Sequence, residues 1–228
     1  RRQRQMCIRD RSNQRCKPIS RLRILLPNLL RIDMLIQPLA RLFTVLLLCT
    51  SAPAAFANWT VNSDLSRLSF VSMKATHIAE VHRFSTFAGG LADSGAIDVE
   101  INLASLDTLI PIRNDRMLEF LFEAATYPTA TISGQVDPAA IKALKSGEVA
   151  ILAIEAMVTI KDSQIPITTE VLVSKHASRV VVASLQPIVL NTASLGLSEG
   201  VEKLRELAGL PSISQSVPVS LVMTFDAN

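Results

Sequence analysis

Uninterrupted alternation of apolar and polar residues is the feature that most constrains this chain. Residues 97–103 read IDVEINL, with every second residue apolar over the whole run. Successive side chains of a β-strand point to opposite faces, so this run predicts a strand with one buried face. Residues 129–136 and 216–225 alternate in the same way. We therefore expect half-buried strands to dominate the fold.

Five further segments have the length and composition of strands, and pairs such as Gly89-Gly90 and Asp137-Pro138 separate several of the strand segments. About eight strands joined mostly by short turns predict a mainly β fold, either an antiparallel barrel or a sandwich. Pro218 cannot donate a hydrogen bond to a neighbouring strand, which favours an edge or closing position for the last strand. The five segments are 67–73, 78–85, 149–160, 164–174 and 179–185.

Two short helices interrupt the predicted strands. Residues 112–122 place Arg113 and Arg116 on a polar side and Met117, Phe120 and Leu121 on an apolar side. Residues 198–208 carry a narrow apolar stripe and end before a glycine. Residues 58–228 show no internal repeat, so we predict one domain there.

The first 57 residues differ in charge from the rest of the chain. They hold eleven basic and two acidic residues, a net charge of +9, whereas residues 58–228 hold twelve basic and eighteen acidic residues, a net charge of −6. The predicted folded part would repel a phosphate backbone, which argues against a nucleic-acid partner. The basic character of the whole chain belongs to its first quarter.

The order of charged, apolar and small residues near Met34 is typical of a secretory signal. Arg41 precedes an apolar run at 42–48, and Ala55-Phe56-Ala57 fits an A-x-A cleavage site. The run is shorter than the ~20 residues that span a bilayer. We interpret residues 1–33 as an upstream, non-native segment, 34–57 as a signal peptide cleaved after Ala57, and 58–228 as the mature, exported domain.

Cysteine usage agrees with export. Cys7, Cys16 and Cys49 all precede the predicted cleavage site, so the predicted mature chain has no cysteine. Such a chain forms no disulfide in an oxidising compartment and offers no thiol nucleophile or thiolate ligand. Cysteine-dependent catalysis and cysteine-ligated metals are therefore excluded for the predicted mature domain.

Motifs of several common enzyme classes are absent from the sequence: it has no GxGxxG, GxxxxGK[ST] or HExxH. Glu80 and His82 share a face if residues 78–85 form a strand, but two ligands do not make a metal site. The spacing of His77 and His82 does not suit one metal ion either. We predict no catalytic residues, no metal site and no cofactor.

The interior of the predicted barrel is the remaining candidate for function. A closed barrel of about eight strands either fills its centre with side chains or holds one small apolar ligand. The pattern alone leaves both open. Arg113 and Arg116 fit a clamp on a polar headgroup at the mouth of the barrel, or a structural network that holds the helix through Asp115 or Asp107.

Several motifs, in their order along the chain, resemble the YceI-like family. They are Trp59-Thr-Val-Asn62, a strand with Phe84, Phe87 and Gly89, an S-L-D-T turn at 105–108, Arg113-Asn-Asp-Arg-Met117, and Tyr127-Pro128. The resemblance covers essentially all of 58–228. It implies a periplasmic protein with a single antiparallel, lipocalin-like β-barrel that encloses a long isoprenoid chain, such as a polyprenyl lipid or a prenyl quinone tail.

The resemblance implies no catalysis, and it assigns the interior and mouth of the barrel to an isoprenoid ligand held for carriage or storage. A transient contact with a membrane or a membrane protein and a homodimer both stay open. So do two other functions: a quinone- or haem-linked redox accessory or enzyme, and a stress-related structural protein with a filled core. The ligand-binding residues expected from position are Phe70, Phe84, Leu103, Met117, Phe120, Phe225, Arg113 and Arg116.

Overall fold

The computed structural model describes residues 58–228. The segments interpreted as an upstream region and a signal peptide, 1–33 and 34–57, lie outside the described residues. Within 58–228 the chain forms eleven strands. They are β1 (Trp59–Val61), β2 (Arg67–Lys74), β3 (Ile78–Phe84), β4 (Phe87–Leu91), β5 (Ala96–Asn102), β6 (Thr129–Gln135), β7 (Val149–Ile160), β8 (Ser163–His176), β9 (Arg179–Ser184), β10 (Ile188–Asn191) and β11 (Ser216–Ala227).

Short helices connect some of these strands. One of these helices continues directly into a π-helix, and 3-10 turns precede β2 and follow β5. Of the helices in the described part of the chain, none is long and apolar enough to cross a membrane. The helices are α1 (Pro111–Arg116), the π-helix (Met117–Leu121), α2 (Pro138–Ala143) and α3 (Ser198–Leu207), and the 3-10 turns are Ser63–Leu65 and Leu103–Ser105.

The strands form one antiparallel sheet that closes on itself. Neighbours follow the order β1, β4, β5, β6, β7, β8, β9, β11, and the pairing of β11 with β1 closes this ring of eight strands. The predicted mainly β fold, a single antiparallel barrel of about eight strands with short helices, is confirmed. Strands β2, β3 and β10 extend the wall beyond the ring from β11.

Strand β11 joins the two parts of this wall. Its second half pairs with β9 and β1, and its first half pairs with β10 and β2. Pro218 lies opposite Val189 of β10. The pairing of β11 with β2 begins one residue later, at Val219. The last strand is thus a closing strand, one of the two positions that the proline favoured.

Strand β4 contains the glycine pair that the sequence suggested as a break. Gly89 has φ +93°, and a Cβ atom there would lie 2.1 Å from the backbone oxygen of Asp98 on β5. Only glycine tolerates both this backbone conformation and so close an approach. The glycine therefore permits β4 to pair with β5 instead of ending a strand.

The π-helix changes which residues of the first predicted helix are buried. The Phe122 N–H donates to the Met117 carbonyl oxygen at 3.0 Å, five residues back. The wider turn buries Met117, Leu121 and Phe122, whereas Phe120 stays half-buried. Helix α3 packs closely on this turn, since a Cβ atom at Gly200 would lie 2.6 Å from the Phe120 carbonyl oxygen.

Candidate ligand-binding site

Three cavities follow one another along the inside of the barrel, and we call them outer, middle and inner. Their volumes are about 270 Å³, 120 Å³ and 80 Å³ respectively. The outer and middle cavities share Phe70, Leu121, Thr192 and Val217 in their walls. The middle and inner cavities share Ile132, Ile167, Ile188 and Leu221. The shared walls place the three cavities next to one another, and we call their series the path.

Strand β11 shows how the sequence builds this path. Every second residue from Val217 to Phe225 is apolar and lines at least one cavity. Val217 lines the outer and middle cavities, Leu221 lines the middle and inner ones, and Phe225 lines the inner one. Because side chains alternate across a strand, one period-two run supplies an apolar wall over the whole length of the path.

The middle cavity is lined by aliphatic and aromatic side chains, with Thr192 as the polar exception. Phe84 contacts two other rings, with centroids 5.7 Å from Phe70 and 5.8 Å from Phe122. Ala130 of β6 also contributes to the wall, and its side chain leaves space that a larger residue would fill. An apolar ligand in this cavity would meet almost no group that needs a hydrogen bond.

The outer cavity differs because charged side chains enter its wall. Glu80 of β3 accepts hydrogen bonds from two cations through Oε2: the Lys74 Nζ lies at 2.8 Å and an Arg113 guanidinium nitrogen at 2.5 Å. Lys74 reaches Glu80 diagonally across the β2–β3 pair, since Glu80 lies opposite Ser72. Arg113 comes from α1, so the network ties that helix to the hairpin.

Burial raises the pKa of Glu80, but the hydrogen bonds from Lys74 and Arg113 outweigh it and hold the pKa below its ordinary value. The carboxylate is therefore ionised at neutral pH. Its side chain is 27% exposed, so solvent screens part of the attraction. The three groups form one compact charged cluster in the wall of the outer cavity.

His82 lies beside this cluster and is 2% exposed. Its Nε2 is 2.8 Å from the Ser72 hydroxyl, and its ring packs edge-on against Phe70 with centroids 5.2 Å apart. Burial lowers the pKa of His82, and the positive charges of Arg113 and Lys74 lower it further. Within residues 58–228 its Nδ1 is buried and has no hydrogen-bond partner, so a neutral imidazole keeps one unpaired polar atom behind the wall of the outer cavity.

The partners of the two predicted clamp arginines differ from those that the sequence suggested. Arg113 bonds Glu80, and Arg116 donates to the Leu207 carbonyl oxygen at 3.3 Å. Asp107 pairs instead with Arg83 at 2.6 Å, so the suggested link from the helix arginines through Asp107 is wrong. The reason is the short path from β5 to α1, which leaves Asp107 bridged to β3 through the backbone as well.

The structure distributes the sequence-predicted site residues over all three cavities, with one exception. Phe120 does not line any of them, because the π-helix directs Leu121 and Phe122 inward in its place. The others divide as follows: Phe70 in the outer and middle cavities, Phe84 and Leu103 in the middle, Phe225 in the inner, and Met117, Arg113 and Arg116 in the outer.

Sequence reasoning missed Lys74, Glu80, Ser72 and His82 as members of the outer cavity. The signal was present for Glu80 and His82, since alternation in β3 puts them on the inward face with Phe84. Among the described residues, no group of three or more His, Cys, Asp or Glu side chains is placed to hold a metal ion.

Comparison with known families defines the class of protein to which this barrel belongs. The model of the YceI-like domain matches residues 59–225, and the chain belongs to that family. A comparison with curated proteins gave no match.

Two solved structures are similar to this barrel. One is described as a polyisoprenoid binding domain from Saccharophagus degradans implicated in plant cell wall breakdown. It is 36% identical with a TM-score of 0.73, over 75% of this chain and 99% of that one. The other, BcnA of Burkholderia cenocepacia, is 19% identical with a TM-score of 0.56, over 72% of this chain and 98% of that one, and supports the fold alone.

Proposed function

We propose that this protein binds one long isoprenoid chain inside the barrel, with the tail in the middle and inner cavities and the head in the outer cavity. The observation that carries the proposal is the single path that begins among charged side chains and continues between apolar ones. A polyprenyl lipid and a prenyl quinone both have this shape and polarity. The similarity to a polyisoprenoid binding domain supports the same ligand class.

The free energy of binding would come mainly from the tail. Burial of apolar surface contributes roughly 25 cal/mol per Å² removed from water. The walls of the middle and inner cavities expose no acid, base or nucleophile other than the hydroxyls of Thr192 and Thr169. We therefore assign the interior a role in binding and no catalytic step.

The polar groups of the outer cavity would orient the head. Arg113 and Arg116 both line it, and their guanidinium groups can donate hydrogen bonds to a head hydroxyl, carbonyl or phosphate. Glu80 keeps Arg113 in place through their ion pair. This end would fix the direction in which the ligand enters.

We further propose that the protein is exported to the periplasm, with residues 34–57 as its signal, and that it carries or stores the lipid there. The signal pattern before Asn58 and membership in the YceI-like family support this location. In water a free polyprenyl chain would expose its whole apolar surface, so a soluble protein that encloses it would stabilise it during transfer.

Native mass spectrometry, combined with lipid extraction, tests the proposal. The full chain is expressed with its own leader, and the protein is purified from the periplasm without detergent. We expect an added mass that corresponds to one prenyl lipid per chain, released by organic extraction. A clean ligand-free mass, with no uptake of added polyprenol or prenyl quinone, would contradict the proposal and indicate a filled barrel.

A further inference from the structure

The segment that leads into α1 places four apolar residues together at the surface. Leu109 is 79% exposed, the highest value among the exposed large apolar side chains of the described chain, and Ile112 and Ile110 are 56% and 43% exposed. Pro111 between them is also exposed. We call Leu109, Ile110, Pro111 and Ile112 the apolar tip. Such a cluster is costly in water and marks an interaction site.

The backbone holds the apolar tip in a fixed conformation. Leu109 has φ +62°, in the left-handed region that a leucine rarely adopts. Its N–H donates to the Asp107 carboxylate at 2.8 Å, and the buried Thr108 donates its N–H to the Asn114 side chain at 2.9 Å. The fold therefore maintains a strained conformation in which a large apolar side chain faces solvent, as functional sites often do.

The apolar tip adjoins the entrance to the proposed lipid path. Ile110 and Ile112 line the outer cavity as well as being exposed. Near them, the lining of the outer cavity holds Arg113, Arg116 and Lys74 but only one carboxylate, Glu80, so this rim has a small positive excess in a domain whose net charge is −6. The charge balance favours an electrically neutral or weakly anionic surface, and the apolar side chains would provide most of the attraction.

We propose that the apolar tip inserts into the surface of a phospholipid bilayer and brings the outer cavity against the membrane. The inference rests on the proposed function for its purpose, because a tail could then pass from the bilayer into the barrel without exposure to water. A protein partner is a weaker candidate for a four-residue protrusion, since stable protein interfaces use about 20 to 30 residues a side.

Vesicle flotation tests this inference, with the protein expressed as the full chain with its own leader and purified after export. The probes are vesicles of phosphatidylcholine alone and of phosphatidylcholine with phosphatidylglycerol. The variant is Leu109→Asn, because asparagine accepts the left-handed backbone and should not destabilise the fold. We expect the vesicle-bound fraction to fall about tenfold, the effect of withdrawing one large apolar side chain from the membrane.

The matched control is Val149→Asn. Val149 is 56% exposed at the start of β7, and Leu152 and Ile154, which follow it on that strand, line the inner cavity, away from the apolar tip. We expect its flotation to stay within about twofold of wild type, because it would not contact the bilayer. Equal flotation of wild type and Leu109→Asn would overturn the inference. Equal losses in both variants, or no flotation of the wild type, would overturn it as well.

A second measurement separates this inference from the proposed function. Binding of polyprenol dispersed in detergent should be the same for wild type and Leu109→Asn, whereas uptake from vesicles should be about tenfold slower for the variant. Wild-type protein that floats with vesicles but does not bind dispersed polyprenol would contradict the proposed function and leave the membrane contact standing. Dispersed polyprenol binding without a Leu109 effect on vesicle uptake would contradict the membrane contact alone.

Discussion

The outer and inner ends of the path differ in how they are built. The inner cavity lies between strands and α2, and its wall consists of apolar side chains with Thr169 as the exception. The outer cavity lies between the β2–β3 hairpin, α1, the π-helix and α3, and its wall carries an ion-pair cluster and a buried histidine. The inner end therefore offers a ligand almost only apolar contact, whereas the polar groups of the outer end can fix the orientation of a bound ligand.

Strand β2 contains the change from the apolar to the polar part of the path. Its inward-facing residues are Leu68 and Phe70, followed by Ser72 and Lys74, so a single face changes from apolar to polar within four positions. The inward face of β3 makes the same change in the opposite direction along the chain, from Glu80 to Phe84. The polarity of the path is thus encoded in two paired strands, whereas the inward face of β11 is apolar from Val217 to Phe225.

The largest expected effect comes from filling the apolar region. Ala130→Leu puts extra volume into the middle cavity, and we expect it to weaken the binding of both short and long prenyl chains by about 10- to 100-fold. Isothermal titration with a short and a long polyprenol measures this.

Ala156→Leu is the matched change in the inner cavity. We expect it to weaken long chains about tenfold and to leave short chains nearly unchanged, because a short chain ends in the middle cavity. Thermal unfolding of both variants controls for overpacking. If both variants weakened the binding of short and long chains equally, this would contradict the assignment of the tail to two successive cavities.

A smaller effect is expected where α3 meets the π-helix. A Cβ atom at Gly200 would lie 2.8 Å from the Leu121 Cα, so Gly200→Ala should reduce the free energy of unfolding by about 1 to 2 kcal/mol despite the better helix propensity of alanine. Urea unfolding measures it. Lys203→Ala on the exposed side of α3 is the control, and a stabilised Gly200→Ala would show that the helix packs more loosely than described.

Removal of the charge at Glu80 tests the polar end. Glu80→Gln leaves Lys74 and Arg113 without their anionic partner, and we expect a loss of about 1 kcal/mol in the free energy of unfolding, limited by partial solvent exposure. Glu202→Gln, which breaks the exposed pair with Arg205 on α3, should produce no measurable change. Identical urea midpoints for Glu80→Gln and wild type would show that the cluster does not hold α1.

The smallest effect concerns pH. The pKa of His82 is lowered in the folded protein by burial, so the unfolded chain binds the proton more readily. Above the unfolded pKa of His82, about 6.5, protonation of this residue should not affect the free energy of unfolding. As the pH falls from there toward the folded pKa, the unfolded chain takes up the proton first, so the free energy of unfolding should decrease. His82→Gln should flatten this part of the profile. An unchanged slope in the variant would assign it to other groups.

A strand could be predicted from the sequence where it is long enough to show a periodic pattern of side chains. The predicted segment 149–160 coincides with β7, whose exposed and half-buried residues alternate over its first eight positions. Strand β4 was not predictable as such, since Gly89 serves a close approach to β5 that only the pairing reveals. Strand β10 has four residues, too few for a periodic signal.

The apolar part of the candidate site followed from the same alternation, whereas the polar part did not. Inward positions such as Phe70 and Phe225 can be read from period two alone. The contact of Arg113 with Glu80 joins residues 33 positions apart and depends on the β2–β3 register and on the place of α1. The π-helix, which moves Phe120 away from the path, depends on packing with α3 and has no signal in the periodicity.

In the proposed complex, the isoprenoid tail lies along the path with its end in the inner cavity. A polyprenol with a diazirine at the tail end, photolysed in complex with the protein, tests this directly when labelled residues are mapped by peptide mass spectrometry. We expect labelling of inner-cavity residues, above all Met223 and Phe225 of β11. Labelling confined to exposed residues such as Ile151 or Val189 would contradict it and move the ligand to the outside of the barrel.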